Sequence, residues 1–248
     1  MSSTAPRWLI VNADDFGQSP GINAGVIRAH EEGIVTSASL MVRWPAAAEA
    51  AAYCRAHSAL SAGLHLDLGE WKFHDGAWTA VYRVVPLDDD AAVRREVAEQ
   101  LAAFERLVGR VPTHLDSHQH VHRTATVAAA LEEVTAARAL PLRRVSPHIH
   151  YCGEFYGQTA EGAPLADAIS VTALLRVLAA LPAGVTELGC HPAEGVDLDT
   201  MYRSERRQEL DALCDARVRA ALREHGIALC TFHDVPRVGP RTGSERLA

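Results

Sequence analysis

Strand-like and helix-like segments alternate along this chain seven times without a break, and that alternation limits the fold more than any other feature. Apolar stretches at 8–11, 36–42, 63–68, 113–116, 142–145, 185–190 and 227–232 read as strands. The segments between them carry helical periodicity or helix punctuation. Ser19 is placed to cap a helix over 22–32 that Gly33 stops, and Pro45 opens a second running to about residue 57. Asp88 to Asp90 cap a third, in which Val93, Val97, Leu101, Phe104 and Val108 recur every three to four residues until Gly109. Further helices are expected over 124–139, 165–181 and 199–225. Such alternation implies a parallel sheet with right-handed crossovers. No linker or internal repeat divides it. The expectation is an α/β fold: one domain over 1–236, barrel-like, with about seven parallel strands and a disordered tail over 237–248. A doubly wound open sheet is the main rival, but its Gly-x-Gly-x-x-Gly signature is absent.

The residues that follow the strands carry the chemistry. The first strand ends in Asp14-Asp15 and turns at Gly17. The third carries His65 and Asp67, with Leu64, Leu66 and Leu68 on its other face. The fourth ends at Asp116 and runs into Ser117-His118-Gln119-His120-Val121-His122, and the sixth ends at His191. In a parallel barrel these ends gather at one mouth, where ligands bind. Asp-Asp before Gly is also ordinary turn chemistry, and alternate histidines can line a polar strand edge, so neither segment decides the matter alone. Together they form a donor set suited to a divalent cation. Two adjacent buried carboxylates repel unless a cation or a shared proton relieves them. One Asp and two His would leave a coordination place for water, as catalytic rather than structural sites do. Of Asp14 and Asp15, one would hold the ion and the other would deprotonate water, with His191 across the mouth protonating a leaving group. The residues alone do not choose among His118, His120 and His122.

Composition narrows the class of protein. The formal charge is −7, Lys72 is the only lysine, and no basic run is dense enough for nucleic acid. Five scattered cysteines with no Cys-x-x-Cys argue against a disulfide framework. The first seven residues lack a signal-like apolar core, and no apolar run is long enough to span a bilayer. A cytoplasmic protein without membrane insertion is expected. Over 69–85 the pattern dissolves into a long loop in which Trp71, Phe73, Trp78 and Tyr82 alternate with polar residues. These aromatics either pin the loop or stack on a ring-shaped substrate, and they leave a homodimer open.

At this point the residues resemble a known family. Asn12-Ala13-Asp14-Asp15-Phe16-Gly17, Gly63-Leu64-His65-Leu66 and the block from Thr113 to His122 are similar to the signatures of the YdjC/ChbG-like carbohydrate deacetylases. Glu187-Leu188-Gly189-Cys190-His191-Pro192 and Arg206-Arg207-Gln208-Glu209-Leu210 resemble two later blocks, so the likeness runs from about residue 8 to 236. The resemblance implies a distorted, incomplete (β/α) barrel and removal of an N-acetyl group from an amino sugar, such as a short chitooligosaccharide, by metal-activated water. It implies Asp15, His65 and His118 as ligands of one divalent ion; one carboxylate and two imidazoles suit zinc or, with several waters, magnesium, and also manganese, iron or cobalt. It implies Asp14 as general base and His191 as general acid. Arg206 would contact substrate or brace the acidic site, and Asp116, His120, His122 and Trp71 are left as substrate contacts. The chain departs from the family at Arg123-Thr124-Ala125, at Asp67 and over 69–85, all near the mouth. Rival readings are a metal hydrolase of a phosphoester or cyclic amide, a non-catalytic sugar- or metal-binding relative, and a histidine-rich structural core.

Overall fold

The computed structural model describes residues 5–195 and 197–235. The element order is β1 (Arg7–Phe16), α1 (Pro20–Glu31), β2 (Ser37–Leu40), α2 (Ala47–Ala56), β3 (Ser61–Leu66), β4 (Gly69–His74), β5 (Ala77–Arg83), α3 (Asp90–Val108), β6 (Leu115–Ser117), α4 (Ala125–Arg138), β7 (Ile149–Cys152), α5 (Val171–Ala180), β8 (Gly184–Cys190), α6 (Ser204–Leu213), α7 (Ala216–Glu224) and β9 (Ile227–Leu229). Seven strands form one parallel sheet in the order β6-β3-β2-β1-β8-β7, with β9 paired to the first residues of β1. This is the curled half-barrel of a single α/β domain, as expected. The expected tail over 237–248 lies outside the described residues.

The period of two along the strands separates an apolar outer layer from a polar interior. In β1, Leu9, Val11 and Ala13 pack with the helices, while Trp8 and Ile10 join Val185, Cys230 and Phe232 in a small plug inside the barrel. Asn12 and Asp14 continue along the inner face above that plug. Leu64 and Leu66 of β3 and Leu115 of β6 likewise face the helices, which leaves His65 and Asp116 facing inward. Gly63 makes room there, since a Cβ on it would stand 2.4 Å from the buried His114 ring. Helix α3 is bounded as its sequence indicates. Asp89 caps it by accepting from Ala92 N at 3.0 Å, Gly109 ends it at φ 77°, and the apolar stripe is buried.

Three elements differ from the sequence reading. Residues 69–85 are not a loop but an antiparallel hairpin, β4–β5, turned at Asp75 and Gly76, both with positive φ. Residues 142–145 form no strand. Leu142 makes a single parallel bridge to Leu115, and the edge position beside β8 is taken by β7. The helix expected over 199–225 is two helices, because Asp215 breaks the chain and caps α7 with its carboxylate on Arg217 N at 2.8 Å. All five cysteines are free thiols.

Candidate active site

Adjacent residues of a regular strand point to opposite faces, so Asp14 and Asp15 should diverge. They do not, because β1 breaks register against β2 between Ala13 and Phe16 and Asp15 adopts φ 64°. Asp is among the residues that tolerate this left-handed conformation. The irregularity turns both carboxylates into one cavity of about 820 Å³, a size typical of small-molecule sites. His65, His118, His120, His191, Arg206 and Trp71 line it too. Asp116 and His122 do not: both are buried beneath it.

Asp15, His65 and His118 offer one donor atom each, all within 4.8 Å of one another. Asp15 Oδ1 lies 3.3 Å from His65 Nε2 and 3.0 Å from His118 Nδ1. Donors on a tetrahedral ion with bonds of about 2.0–2.1 Å stand roughly 3.3 Å apart, so this set fits a divalent cation. The other carboxylate oxygen of Asp15 receives Arg206 at 2.7 Å. Burial alone would raise the pKa of Asp15, but Arg206 and His118 outweigh it and hold the carboxyl well below its ordinary range. A second set, Asp14, His65 and Asp116, is equally close. Its positive charge is already supplied by the guanidinium of Arg143, which takes both carboxylates.

Arg143 organises the floor of the site. Its side chain is fully buried and bonds Asp14 at 2.6 and 2.7 Å, Asp116 at 2.6 Å and Glu187 at 2.7 Å. Asn12 adds an amide donor to Asp14 at 2.9 Å. Burial raises the Asp14 pKa, yet Arg143 and His65 more than offset this and keep it below the ordinary value. Asp116 accepts from Ser39 Oγ at 2.7 Å and sits 2.7 Å from His65 Nδ1, which turns Nε2 of that ring toward Asp15. Burial would strip the proton from His65, but Asp116 and Asp14 raise its pKa to about 10. Burial also pushes Glu187 up to about 7 despite Arg143. His120 and His122 are depressed by burial to about 3 and about 4, so both are neutral near pH 7.

His191 Nε2 stands 3.7 Å from Asp14 Oδ2. The Glu209 carboxylate fixes the other side, accepting His191 N at 2.5 Å and the Tyr202 hydroxyl. Burial opposes a proton on His191, but Glu209 outweighs it and raises the pKa. Tyr156 and Tyr202 stack at 4.9 Å, and the His191 ring lies 5.3 Å from Tyr202.

The structure therefore gathers Asp14, Asp15, His65, His118, His191, Arg206, Trp71 and His120 at one mouth. It gives Asp116 and His122 other places than the expected substrate contact. Asp116 is fully engaged by His65, Arg143 and Ser39, and His122 is held by Ser117 Oγ at 2.7 Å. Sequence reasoning missed Arg143, Glu187 and Glu209. A signal existed for the first two: each is a charge inside a run read as a buried strand, which requires a partner of opposite sign.

The fold places the chain in a class, the incomplete (β/α) barrels that include carbohydrate esterases. A family 4 carbohydrate esterase from Streptomyces lividans superposes with a TM-score of 0.54 at 14% identity, covering 92% of this chain and 93% of that one. The chain belongs to the YdjC-like protein family, whose model matches residues 8–224. It is 32% identical to a carbohydrate deacetylase of Geobacillus stearothermophilus, over 92% of this chain and 98% of the relative. It is 34% identical to a chitooligosaccharide deacetylase of Serratia marcescens, over 92% and 99%. A solved structure from Enterococcus faecalis V583, provisionally assigned to cellobiose-phosphate cleavage, is similar with a TM-score of 0.73 at 26% identity, covering 93% of this chain and 99% of that one.

Proposed function

We propose that the protein is a metal-dependent hydrolase that removes N-acetyl groups from amino sugars such as chitooligosaccharides. The observation that carries this is the division of labour between two adjacent carboxylates: Asp15 faces two imidazoles, and Asp14, with no imidazole ligand pair of its own, faces His191. The names of the relatives support the substrate class.

In this reading Asp15, His65 and His118 hold one divalent ion, magnesium or zinc, with manganese or cobalt also suited to the donor set. When bound, such an ion lowers the pKa of water and polarises the amide carbonyl. Asp14, kept ionised by Arg143, takes the proton from the attacking water. His191, whose proton is retained by Glu209, delivers one to the departing amine. These two groups stand 3.7 Å apart, so proton removal and proton delivery occur on neighbouring faces of one reacting centre. Arg206 braces Asp15, and its buried Nη1, which has no hydrogen-bond partner, is available to substrate. His120 and Trp71 serve as substrate contacts at the rim.

The test is acetate release from di-N-acetylchitobiose by chelated protein resupplied with zinc, magnesium, manganese or cobalt. Acetate that depends on added metal is the expected result. No acetate with any of these ions, from protein that binds one ion per chain, overturns the reaction assigned.

A further inference from the structure

Buried carboxylates in this protein are paired. Asp14, Asp116 and Glu187 share Arg143, Asp15 takes Arg206, and the others each accept at least one hydrogen bond from a side chain. Glu70 is the exception among the described residues. It lines the cavity and is only 6% exposed, yet no hydrogen bond or ion pair within the protein reaches its carboxylate. The cations whose field it feels are committed elsewhere. Arg206 stands 2.7 Å and His118 3.0 Å from Asp15, and Lys72 Nζ stands 3.1 Å from Asp199. Burial raises the Glu70 pKa, His118 offsets this only in part, and Asp15 adds to the rise. Such a group costs the fold stability, and it persists where a ligand supplies the missing partner.

A regular strand would send Glu70 and Trp71 to opposite faces. The β4–β5 pairing skips Val81, however, setting Glu70 against Tyr82 and Trp71 against Ala80. A bulge of this kind re-aims side chains, and both residues line the cavity. Gln119, which follows His118, accepts from Trp71 N and donates to Trp71 O, each at 2.9 Å. On the other side of Glu70, Gly69 N donates to the Asp67 carboxylate at 3.1 Å. Glu70 is thereby held beside the His118 end of the donor set. Arg206 borders the same cavity, and its Nη1 has no hydrogen-bond partner. The cavity thus offers one unpaired acceptor and one unpaired donor. Ring hydroxyl groups complement both, since a hydroxyl donates and accepts.

Resting on the deacetylase reading above, we propose that Glu70 is a specificity-determining residue of this site: its carboxylate accepts a hydrogen bond from a ring hydroxyl of the sugar, and a sugar without that hydroxyl binds weakly. The missing hydroxyl leaves the carboxylate unpaired in the complex, which is how polar sites reject analogues of the same shape.

A double-mutant cycle read by binding is the test. Di-N-acetylchitobiose, and analogues that each lack one ring hydroxyl, are titrated by tryptophan fluorescence into metal-loaded protein carrying Asp14→Asn, which slows turnover. With Glu70 present, at least one deoxy analogue is expected to bind about tenfold or more weakly than the complete sugar. With Glu70→Ala added, that analogue and the complete sugar should bind alike. Losses that are the same with and without Glu70, or no loss for any analogue, overturn the proposal. Two further measurements exclude other roles. Glu70→Gln should change metal affinity by less than about tenfold; a larger loss overturns the proposal, because the carboxylate then serves the ion. With chelator present near pH 8, the urea midpoint of Glu70→Gln should equal or exceed that of the unsubstituted protein. A lower midpoint overturns the proposal, because the carboxylate then has a partner within the fold. Hydroxyl-dependent coupling without acetate release from protein that retains Asp14 upholds the role of Glu70 and discards the deacetylation. Failure of every sugar to bind discards both.

Discussion

Replacing Arg143 with leucine removes the one cation among the described residues that faces Asp14, Asp116 and Glu187 together, with four contacts of 2.6–2.7 Å and no solvent exposure of its side chain. Leucine fills part of the volume but leaves three carboxylates buried around an apolar group. Breaking a buried ion pair from one side costs about 3–5 kcal/mol. That is a large part of the roughly 5–15 kcal/mol that stabilises a domain. The cost has a pH signature. Glu187 already has a pKa near 7 because burial favours its neutral form, and without Arg143 the neutral form gains further. Taking up a proton relieves the cluster, so Arg143→Leu should be less damaging at pH 5.5 than at pH 8. Adding Glu187→Leu should recover part of the loss at pH 8 and little at pH 5.5. The assay is urea denaturation followed by circular dichroism, at both pH values and with chelator present. A single-variant cost under about 1 kcal/mol, or equal cost at both pH values, would refute the account of this cluster.

Other outcomes follow from the same geometry. Asp116→Asn keeps the shape but weakens the hold on His65, and should reduce metal affinity by about 10- to 100-fold in a calorimetric titration. An unchanged affinity would show that His65 needs no such partner. His114 and His120 are held near 3 and His122 near 4 by burial, against roughly 6.5 unfolded. Their contribution is complete above pH 6.5 and lost as the pH falls toward 4, where the unfolded chain binds more protons. Glu187, Glu70, His65 and His191, whose pKa values are raised, work in the opposite direction, while Asp14, Asp15 and Asp116, held low by Arg143, Arg206 and neighbouring histidines, add to the loss. Without metal, the urea midpoint should therefore fall between pH 6 and 4, and a midpoint that holds or rises would contradict the neutral assignments.

Much of the architecture was legible because local signals agreed with it. Asp14, His65, Asp116 and His191 lie at or beside the ends of their strands and the cap at Asp89 and the stop at Gly109 fall where read, although β1 runs on to Phe16 and β3 ends at Leu66 rather than at residues 11 and 68. The hairpin was obscured because its strands carry aromatic and polar residues on both faces, although Asp75-Gly76 is a recognised hairpin turn signal. Residues 142–145 failed as a strand because Arg143 turns inward to meet three carboxylates and Arg144 follows at φ 66°. The proximity of Asp14 to Asp15 was plain, but their shared orientation was not. It depends on the break at Asp15, which no periodicity reveals. Arg143 pairs with residues 129, 27 and 44 positions away, separations that only the closed sheet brings together.

The most direct measurement is turnover of Asp14→Asn beside its metal content. The account predicts one bound ion per chain, as in the parent protein, with kcat for acetate release lower by about 100- to 10,000-fold, the range for loss of a general base. Turnover near the parent value in the metal-loaded variant would contradict it, since the carboxylate assigned to the proton transfer would then be dispensable.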